Sequence, residues 1–225
     1  MSDLNCSDLF LSCSSDTDDS FSSITPSLHE SLTFEFNSVP NNFNVVHINA
    51  QSIPAHYADL VLAMNCKNLH AILISESFLH PSLPSTAYSL PGFHLIRNDR
   101  TCSSYGGVAI YLREYIPFSI VSKSPQPPPA NSAEHLFIDI TLHHRKVLLG
   151  VFYSPSLKIN YFSALENLLE DISPFYDHSI IMGDFNTCLI KRDFRARMFN
   201  STIDACNFKI LPLLATHHSP NCTPS

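Results

Sequence analysis

Long hydrophobic runs are missing from this sequence of 225 residues, although 44% of the residues are hydrophobic. No run approaches the roughly 20 apolar residues that a membrane-spanning helix requires, so a protein built on such helices is excluded. The N-terminus has no Lys or Arg ahead of its apolar residues, and therefore lacks the pattern of a secretory signal. The composition instead predicts a globular protein with a sizeable core, in one large domain or two small ones.

Paired cysteines are also lacking. The seven cysteines are scattered and odd in number, and nowhere are they spaced as Cys-x-x-Cys. This arrangement argues against a zinc or disulfide framework and predicts reduced, structural thiols. We therefore expect an intracellular protein, either cytoplasmic or nuclear.

Basic residues are absent from positions 1–40, a Ser-rich segment that holds seven acidic residues. Such a segment cannot bury enough apolar surface to offset its loss of chain entropy, so we predict a disordered acidic leader there. Residues 41–225 hold the other 13 acidic residues and all 13 basic ones, and we predict that they form the folded domain. A domain with no formal net charge neither indicates nor excludes a nucleic-acid partner.

Three short apolar runs end on polar side chains. These are residues 45–48 before Asn49, residues 71–75 before Glu76, and residues 180–183 before Asp184 and Asn186. The first two runs, with an intervening helix that has Pro54 near its start, have the spacing of a β-α-β unit. We read the third as a strand buried on both faces. Because ligands bind at the carboxyl edge of open α/β sheets, these polar ends predict a site.

The rest of the chain predicts further strands and helices. Residues 93–96 and 108–112 are expected to be strands, residues 135–140 and 147–153 an antiparallel pair, and residues 161–171 a helix. Another helix is expected after the basic stretch 191–197, extending to about Asn207. This order predicts an α/β fold in which helices cover mixed sheets.

The polar ends belong to a longer ordered set of motifs. The set comprises Asn49, Ser75-Glu76-Ser77, Arg97-Asn98-Asp99-Arg100 before Gly106-Gly107-Val108-Ala109, Glu134, Tyr153-Ser154-Pro155 and Gly183-Asp184-Phe185-Asn186. In this order it resembles the endonuclease/exonuclease/phosphatase superfamily. Within that superfamily, residues 43–225 most resemble the apurinic-type endonuclease domain of non-LTR (LINE-like, Jockey-like) retrotransposon proteins.

The resemblance implies a four-layer α/β/β/α sandwich of two mixed sheets. It also implies phosphodiester hydrolysis that depends on Mg²⁺, with Mn²⁺ as an alternative, and that nicks target DNA to prime reverse transcription. Asn49 and Glu76 are then expected at the metal, and Tyr153 and Asn186 on the scissile phosphate. Asp184 is expected to orient or deprotonate the attacking water, and Glu134 to act in the second coordination shell. These residue types suit Mg²⁺, which prefers oxygen ligands and retains several waters.

One part of the family pattern is not found. Active members carry a further Asp on a later strand and a Ser-Asp-His near the domain end, and neither occurs before Ser225. The resemblance therefore predicts a sandwich that is incomplete at its C-terminal strands, and weak or absent activity for these residues.

The individual residues also have simpler interpretations. Glu76 is compatible with a solvated turn, Asp184 and Asn186 with an Asx turn, Tyr153 with an ordinary strand aromatic, and Glu134 with a surface acid. The stretch 191–197 suits either a solvated face or a DNA contact. For the whole chain, the alternatives are a non-catalytic remnant that binds metal or nucleic acid weakly, and a phosphodiesterase of another substrate.

Overall fold

The computed structural model describes residues 12–13, 42–64, 68–129, 132–155 and 160–211. Nine strands form two mixed sheets in this part of the chain. Their bounds are β1 Ser12–Cys13, β2 Val45–Asn49, β3 Ala71–Ser75, β4 Phe93–Asn98, β5 Val108–Arg113, β6 Phe118–Lys123, β7 Glu134–Leu142, β8 Arg145–Tyr153 and β9 His178–Asp184. The helices are α1 Ile53–Ala63, α2 Asn160–Ile172 and α3 Phe194–Ala205, with short 3₁₀ turns at Ser85–Tyr88 and Ser173–Phe175.

The first sheet has the strand order β1-β2-β3-β5-β4. Strands β2 and β3 are parallel, and their register sets Asn49 beside Ser75. Helix α1 connects them as predicted; the side chain of Ser52 caps it, with Oγ accepting from the Ala55 N–H at 3.1 Å. Strand β5 runs antiparallel to β3 and begins at the edge where β3 ends. The carboxyl ends of β2 and β3 and the start of β5 therefore share one edge.

The second sheet has the strand order β6-β7-β8-β9. Strands β7 and β8 form the predicted antiparallel hairpin, while β8 and β9 are parallel. The register places Tyr153 between Glu134 on one neighbour and Asp184 on the other. Three polar side chains singled out in the sequence thus lie side by side at one edge of this sheet.

Three apolar clusters separate four layers. Helix α1 packs on the outer face of the first sheet through residues such as Leu60 and Ile72. The two sheets face each other through a second cluster that includes Leu73, Ile110, Leu149 and Val151. Helices α2 and α3 cover the outer face of the second sheet, with Phe137, Phe152, Phe162, Leu165, Phe199 and Ile203 in the third cluster. The α/β/β/α architecture is confirmed, and no helix of the described residues is long and apolar enough to cross a bilayer.

The structure corrects two expectations about strands. The run at residues 180–183 is not buried on both faces: only Met182 is buried, because β9 is an outer strand of its sheet within the described residues. Strand β6, which the sequence analysis did not identify, carries exposed residues such as Ile120 and so lacks a buried apolar run. The proposed leader stays a prediction, since only Ser12–Cys13 of it are described. The predicted incompleteness at the C-terminal strands also stays a prediction, because residues 212–225 lie outside the described part of the chain.

Candidate active site

The polar ends of strands from both sheets meet at one edge of the sandwich. Strands β2 and β3 bring Asn49 and Glu76 from the first sheet, and β8 and β9 bring Tyr153 and Asp184 from the second. The two sheets are packed so closely here that Asn49 and Asp184, 135 positions apart in sequence, share a hydrogen bond. The predicted convergence of these side chains therefore exists in the structure.

Asn49 is the centre of this arrangement. Its side-chain nitrogen donates to Glu76 Oε1 at 3.0 Å and to Asp184 Oδ2 at 3.1 Å. The residue is 6% exposed, whereas both carboxylates are partly accessible. One amide group thus holds two acidic side chains, from two different sheets, at one point.

The donor set suits a hard divalent cation. Within the described residues, no three His, Cys, Asp or Glu side chains gather closely enough to hold a metal by themselves. Mg²⁺ does not require such a cluster, because it commonly binds one or two carboxylates and completes its shell with water and phosphate oxygens. Glu76 and Asp184 each place a carboxylate oxygen within 3.1 Å of the Asn49 side-chain nitrogen, so Glu76 and the amide oxygen of Asn49 are the residues that would hold the ion, with the Asp184 carboxylate beside them.

Tyr153 lies against the same carboxylates. It is 8% exposed, and its hydroxyl donates to the Glu76 side chain. Burial raises the pKa of Tyr153, the negative charges of Glu76 and Asp184 raise it further, and Arg100 partly opposes them. The phenol therefore stays protonated across the physiological range and remains a hydrogen-bond donor. Its interpretation as an ordinary strand aromatic does not account for this contact.

Glu134 is fully buried, which excludes the surface interpretation of this residue. One carboxylate oxygen accepts from the Gly107 N–H at 2.8 Å, and the other is paired with Arg100. Arg100 fits here only because position 106 is glycine: a Cβ on Gly106 would lie 2.5 Å from the Arg100 guanidinium carbon. Both Gly106 and Gly107 thus permit close packing at the site.

The segment after β9 forms a tight turn. Asp184 Oδ1 accepts from the Asn186 N–H at 2.9 Å, which is the Asx turn of the simpler interpretation, and Asn186 has a φ of 46°. The Asn186 side chain donates to the Ser154 carbonyl at 2.6 Å. The turn does not exclude a site, because the other carboxylate oxygen of Asp184 points to Asn49.

Two arginines at the site were not among the predicted site residues. Arg195 donates to the Phe185 carbonyl at 3.1 Å, to the Asn186 carbonyl at 3.1 Å and to Thr187 Oγ1 at 2.9 Å. Its guanidinium also lies 4.8 Å from the centre of the Phe162 ring. Arg195 belongs to the basic stretch and Arg100 to the motif before Gly106-Gly107, so both signals were present in the sequence. Which acceptors they reach depends on tertiary packing.

A family comparison agrees with the geometry. Residues 45–224 match the model of the endonuclease/exonuclease/phosphatase family. The chain belongs to this family, which is defined by a phosphodiesterase and nuclease fold of two sheets flanked by helices. A search of curated proteins found no significant match.

Several solved structures share the fold. The endonuclease domain of TRAS1, a telomere-specific non-LTR retrotransposon, is 16% identical with a TM-score of 0.55, covering 73% of this chain and 70% of that one. The AP endonuclease LMAP from Leishmania major is 11% identical with a TM-score of 0.57, covering 73% and 67%. A mannosyl-6-phosphatase from Bacteroides thetaiotaomicron is 15% identical with a TM-score of 0.52, covering 71% and 70%. At these identities the likeness shows the fold alone.

Proposed function

We propose that this protein descends from a DNA-nicking endonuclease of a non-LTR retrotransposon and hydrolyses phosphodiester bonds with Mg²⁺, or alternatively Mn²⁺, as cofactor. The observation that carries this proposal is the contact of Asn49 with both Glu76 and Asp184. The choice of DNA as the substrate rests on the ordered motifs that resemble those of retrotransposon endonucleases, and the likeness to the TRAS1 endonuclease domain agrees with it. Its partner is then DNA inside the cell, in the nucleus or cytoplasm.

Metal binding and water activation are assigned to different residues, according to the hydrogen-bonding groups that each has left over. Asn49 and Glu76 hold the cation, which when bound neutralises charge on the phosphate and the leaving oxygen. Each oxygen of Asp184 accepts one hydrogen bond within the protein and keeps a lone pair, so this carboxylate can orient a water molecule and accept its proton.

Tyr153 and Asn186 suit the phosphate. Tyr153 is a protonated phenol whose hydroxyl can turn from Glu76 toward a phosphate oxygen. Asn186 is exposed and gives one side-chain N–H to Ser154, which leaves the second N–H for substrate. Glu134 does not reach the substrate itself in this proposal, because both of its oxygens are occupied by Arg100 and Gly107.

Nicking of a supercoiled plasmid with Mg²⁺ tests the proposal, with EDTA as the metal-free comparison. Glu76→Gln and Asp184→Asn preserve side-chain shape and remove one charge; made in a longer product of the same reading frame that completes the family pattern, each is expected to lower the nicking rate about 10²-fold or more. Glu114→Gln is the matched control, since Glu114 is exposed and follows β5 at the opposite edge. Equal nicking rates in all three variants would show that the activity does not arise at this site.

The predicted weakness of the 225 residues is tested in the same assay. Nicking by this chain is compared with nicking by a longer product of the same reading frame that includes the Asp and Ser-Asp-His of the family pattern. We expect the longer chain to be the more active. Strong nicking by the 225 residues, lost in Asp184→Asn, would contradict this prediction.

A second function keeps the site but changes the substrate. The mannosyl-6-phosphatase fits the fold about as well as the nucleases do, so the fold does not select DNA over a small phosphate ester. Phosphate release from sugar phosphates and small phosphodiesters distinguishes the two. Faster turnover of these compounds than of plasmid, with the same dependence on Glu76, would favour this alternative over DNA.

A further inference from the structure

A concentration of basic side chains lies immediately beside the candidate site. Four of the 13 basic residues of the chain fall within residues 191–197, in the segment that begins α3. Three of them, Lys191, Arg192 and Arg197, are exposed, and none forms an ion pair with another described residue. The one acidic residue of the segment, Asp193, caps α3 by accepting from the Ala196 N–H at 2.9 Å.

This segment is joined firmly to the site. The fourth basic residue, Arg195, bonds to the turn that carries Asn186, and Arg197 donates to the Arg192 carbonyl at 3.0 Å. Lys191, Arg192 and Arg197 therefore lie within a few residues of Arg195, which is bonded to the site loop. A flexible solvated tail would lack these contacts.

Two large apolar side chains are exposed among the charges. Ile190 is 68% exposed and Phe194 is 58% exposed. Water-facing apolar groups interleaved with cations suit a polyanion that also presents apolar sugar and base edges, and a purely solvated face does not require them. We call Ile190, Lys191, Arg192, Phe194 and Arg197 the basic surface.

We propose that the basic surface binds the sugar-phosphate backbone of duplex DNA beside the bond to be cut. Lys191, Arg192 and Arg197 contact phosphates, and Ile190 and Phe194 pack against sugar and base edges in the groove. This inference rests on the proposed function for its choice of DNA, but it concerns binding and does not depend on cleavage. Of the two interpretations of residues 191–197, it favours the DNA contact over the solvated face.

The salt dependence of DNA binding tests the proposal. Binding of a fluorescein-labelled duplex of about 20 base pairs is measured by anisotropy in EDTA, over a series of KCl concentrations. Each phosphate contact contributes about 0.9 to the slope of log K against log salt, so Arg192→Gln/Arg197→Gln is expected to reduce the slope by about 1.8. Phe194→Ala is expected to weaken binding with an unchanged slope, because it removes no charge.

The matched control removes the same number of positive charges at the edge of the sheet opposite the candidate site. Arg145 and Lys146 are exposed and open β8, whose other end is Tyr153, about 26 Å away at the usual rise of a strand. Arg145→Gln/Lys146→Gln also removes two positive charges and is expected to leave the slope nearly unchanged. Equal slope changes in the two double variants would overturn the proposal, as would an unchanged slope in Arg192→Gln/Arg197→Gln.

The two proposals can fail separately. Loss of nicking in Glu76→Gln with a normal salt slope, together with a reduced slope in Arg192→Gln/Arg197→Gln, supports both the active site and the basic surface. DNA binding through the basic surface, without any nicking by the longer chain that completes the family pattern, refutes the proposed reaction and leaves this inference standing. Circular dichroism of each variant checks that its overall secondary structure is retained.

Discussion

The buried ion pair beside the site allows a direct test of how the two sheets are held together. Glu134 opens β7 in the second sheet and is fully buried, and the Arg100 side chain is 16% exposed. Arg100→Gln would leave the Glu134 carboxylate with the hydrogen bond from the Gly107 N–H but without its positive partner. Breaking a buried pair from one side costs about 3–5 kcal/mol, since the remaining charge keeps its desolvation penalty without its partner.

The double variant separates charge from shape. Arg100→Gln/Glu134→Gln removes both charges and leaves two amides that can hydrogen-bond to each other, an interaction worth about 1 kcal/mol. We therefore expect the double variant to be more stable than either single variant, with a coupling energy of about 2 kcal/mol or more. A purely additive result would mean that the two side chains do not interact in solution.

Urea unfolding followed by circular dichroism at neutral pH measures these free energies. For a domain of this size, the expected loss in Arg100→Gln corresponds to a fall in Tm of about 6–20 °C. Arg145→Gln is the control, because Arg145 is exposed and should change stability by no more than about 0.5 kcal/mol. If Arg100→Gln is as mild as this control, Glu134 is hydrated and the reasoning from its burial is wrong.

Three further predictions concern the same edge of the molecule. Asn49→Asp exchanges an amide donor for a third carboxylate, so the Tm of the metal-free protein should fall because three negative charges then repel one another. Adding Mg²⁺ should raise the Tm of this variant by more than it raises that of the original protein. An unchanged response to Mg²⁺ would argue against an ion at this position. Arg195→Met keeps the packing on Phe162 but removes the donors to the turn. It should lower the nicking rate by more than its loss of stability, measured as the fall in Tm, would explain. Arg145→Met is the control and should change neither quantity much. Burial lowers the pKa of His135 from 6.5 to about 4, so this side chain binds a proton in the unfolded chain before it does so in the folded one. Its contribution to stability is therefore lost as pH falls from 6.5 toward 4, by about 2 kcal/mol between pH 7 and pH 5, and urea unfolding of His135→Gln at the two pH values should show a pH dependence smaller by that amount.

Local patterns accounted for most of the individual elements. Fully buried strands such as β3 leave short runs of β-branched and aliphatic residues, and α1 has Ser52 as its cap and a proline in its first turn. Strand β6 was not predicted because most of its residues are exposed and give no apolar pattern, and its place in the sheet depends on pairing with β7. The burial of β9 was overestimated because an apolar run does not show whether a strand is central or at an edge.

Only part of the site was predicted, because local patterns show residue types and strand ends but not the contacts between distant elements. The residue types of Asn49, Glu76 and Asp184, and their positions at strand ends, follow from the chain itself. The engagement of Glu134 with Arg100, and of Arg195 with the Asn186 turn, was not foreseen. These contacts join residues on separate elements, and no periodic pattern in the sequence predicts them.

What the sequence alone determined is therefore local: which segments become strands, and which polar groups end them. The β2-α1-β3 unit also determined that Asn49 and Glu76 share an edge, because parallel neighbours joined by a helix must run in the same direction. Only the tertiary structure decided that Asp184 reaches that pair from the other sheet. That contact depends on how two sheets stack through their shared apolar core, and the fit of those side chains is a property of the whole packed interior rather than of any one segment.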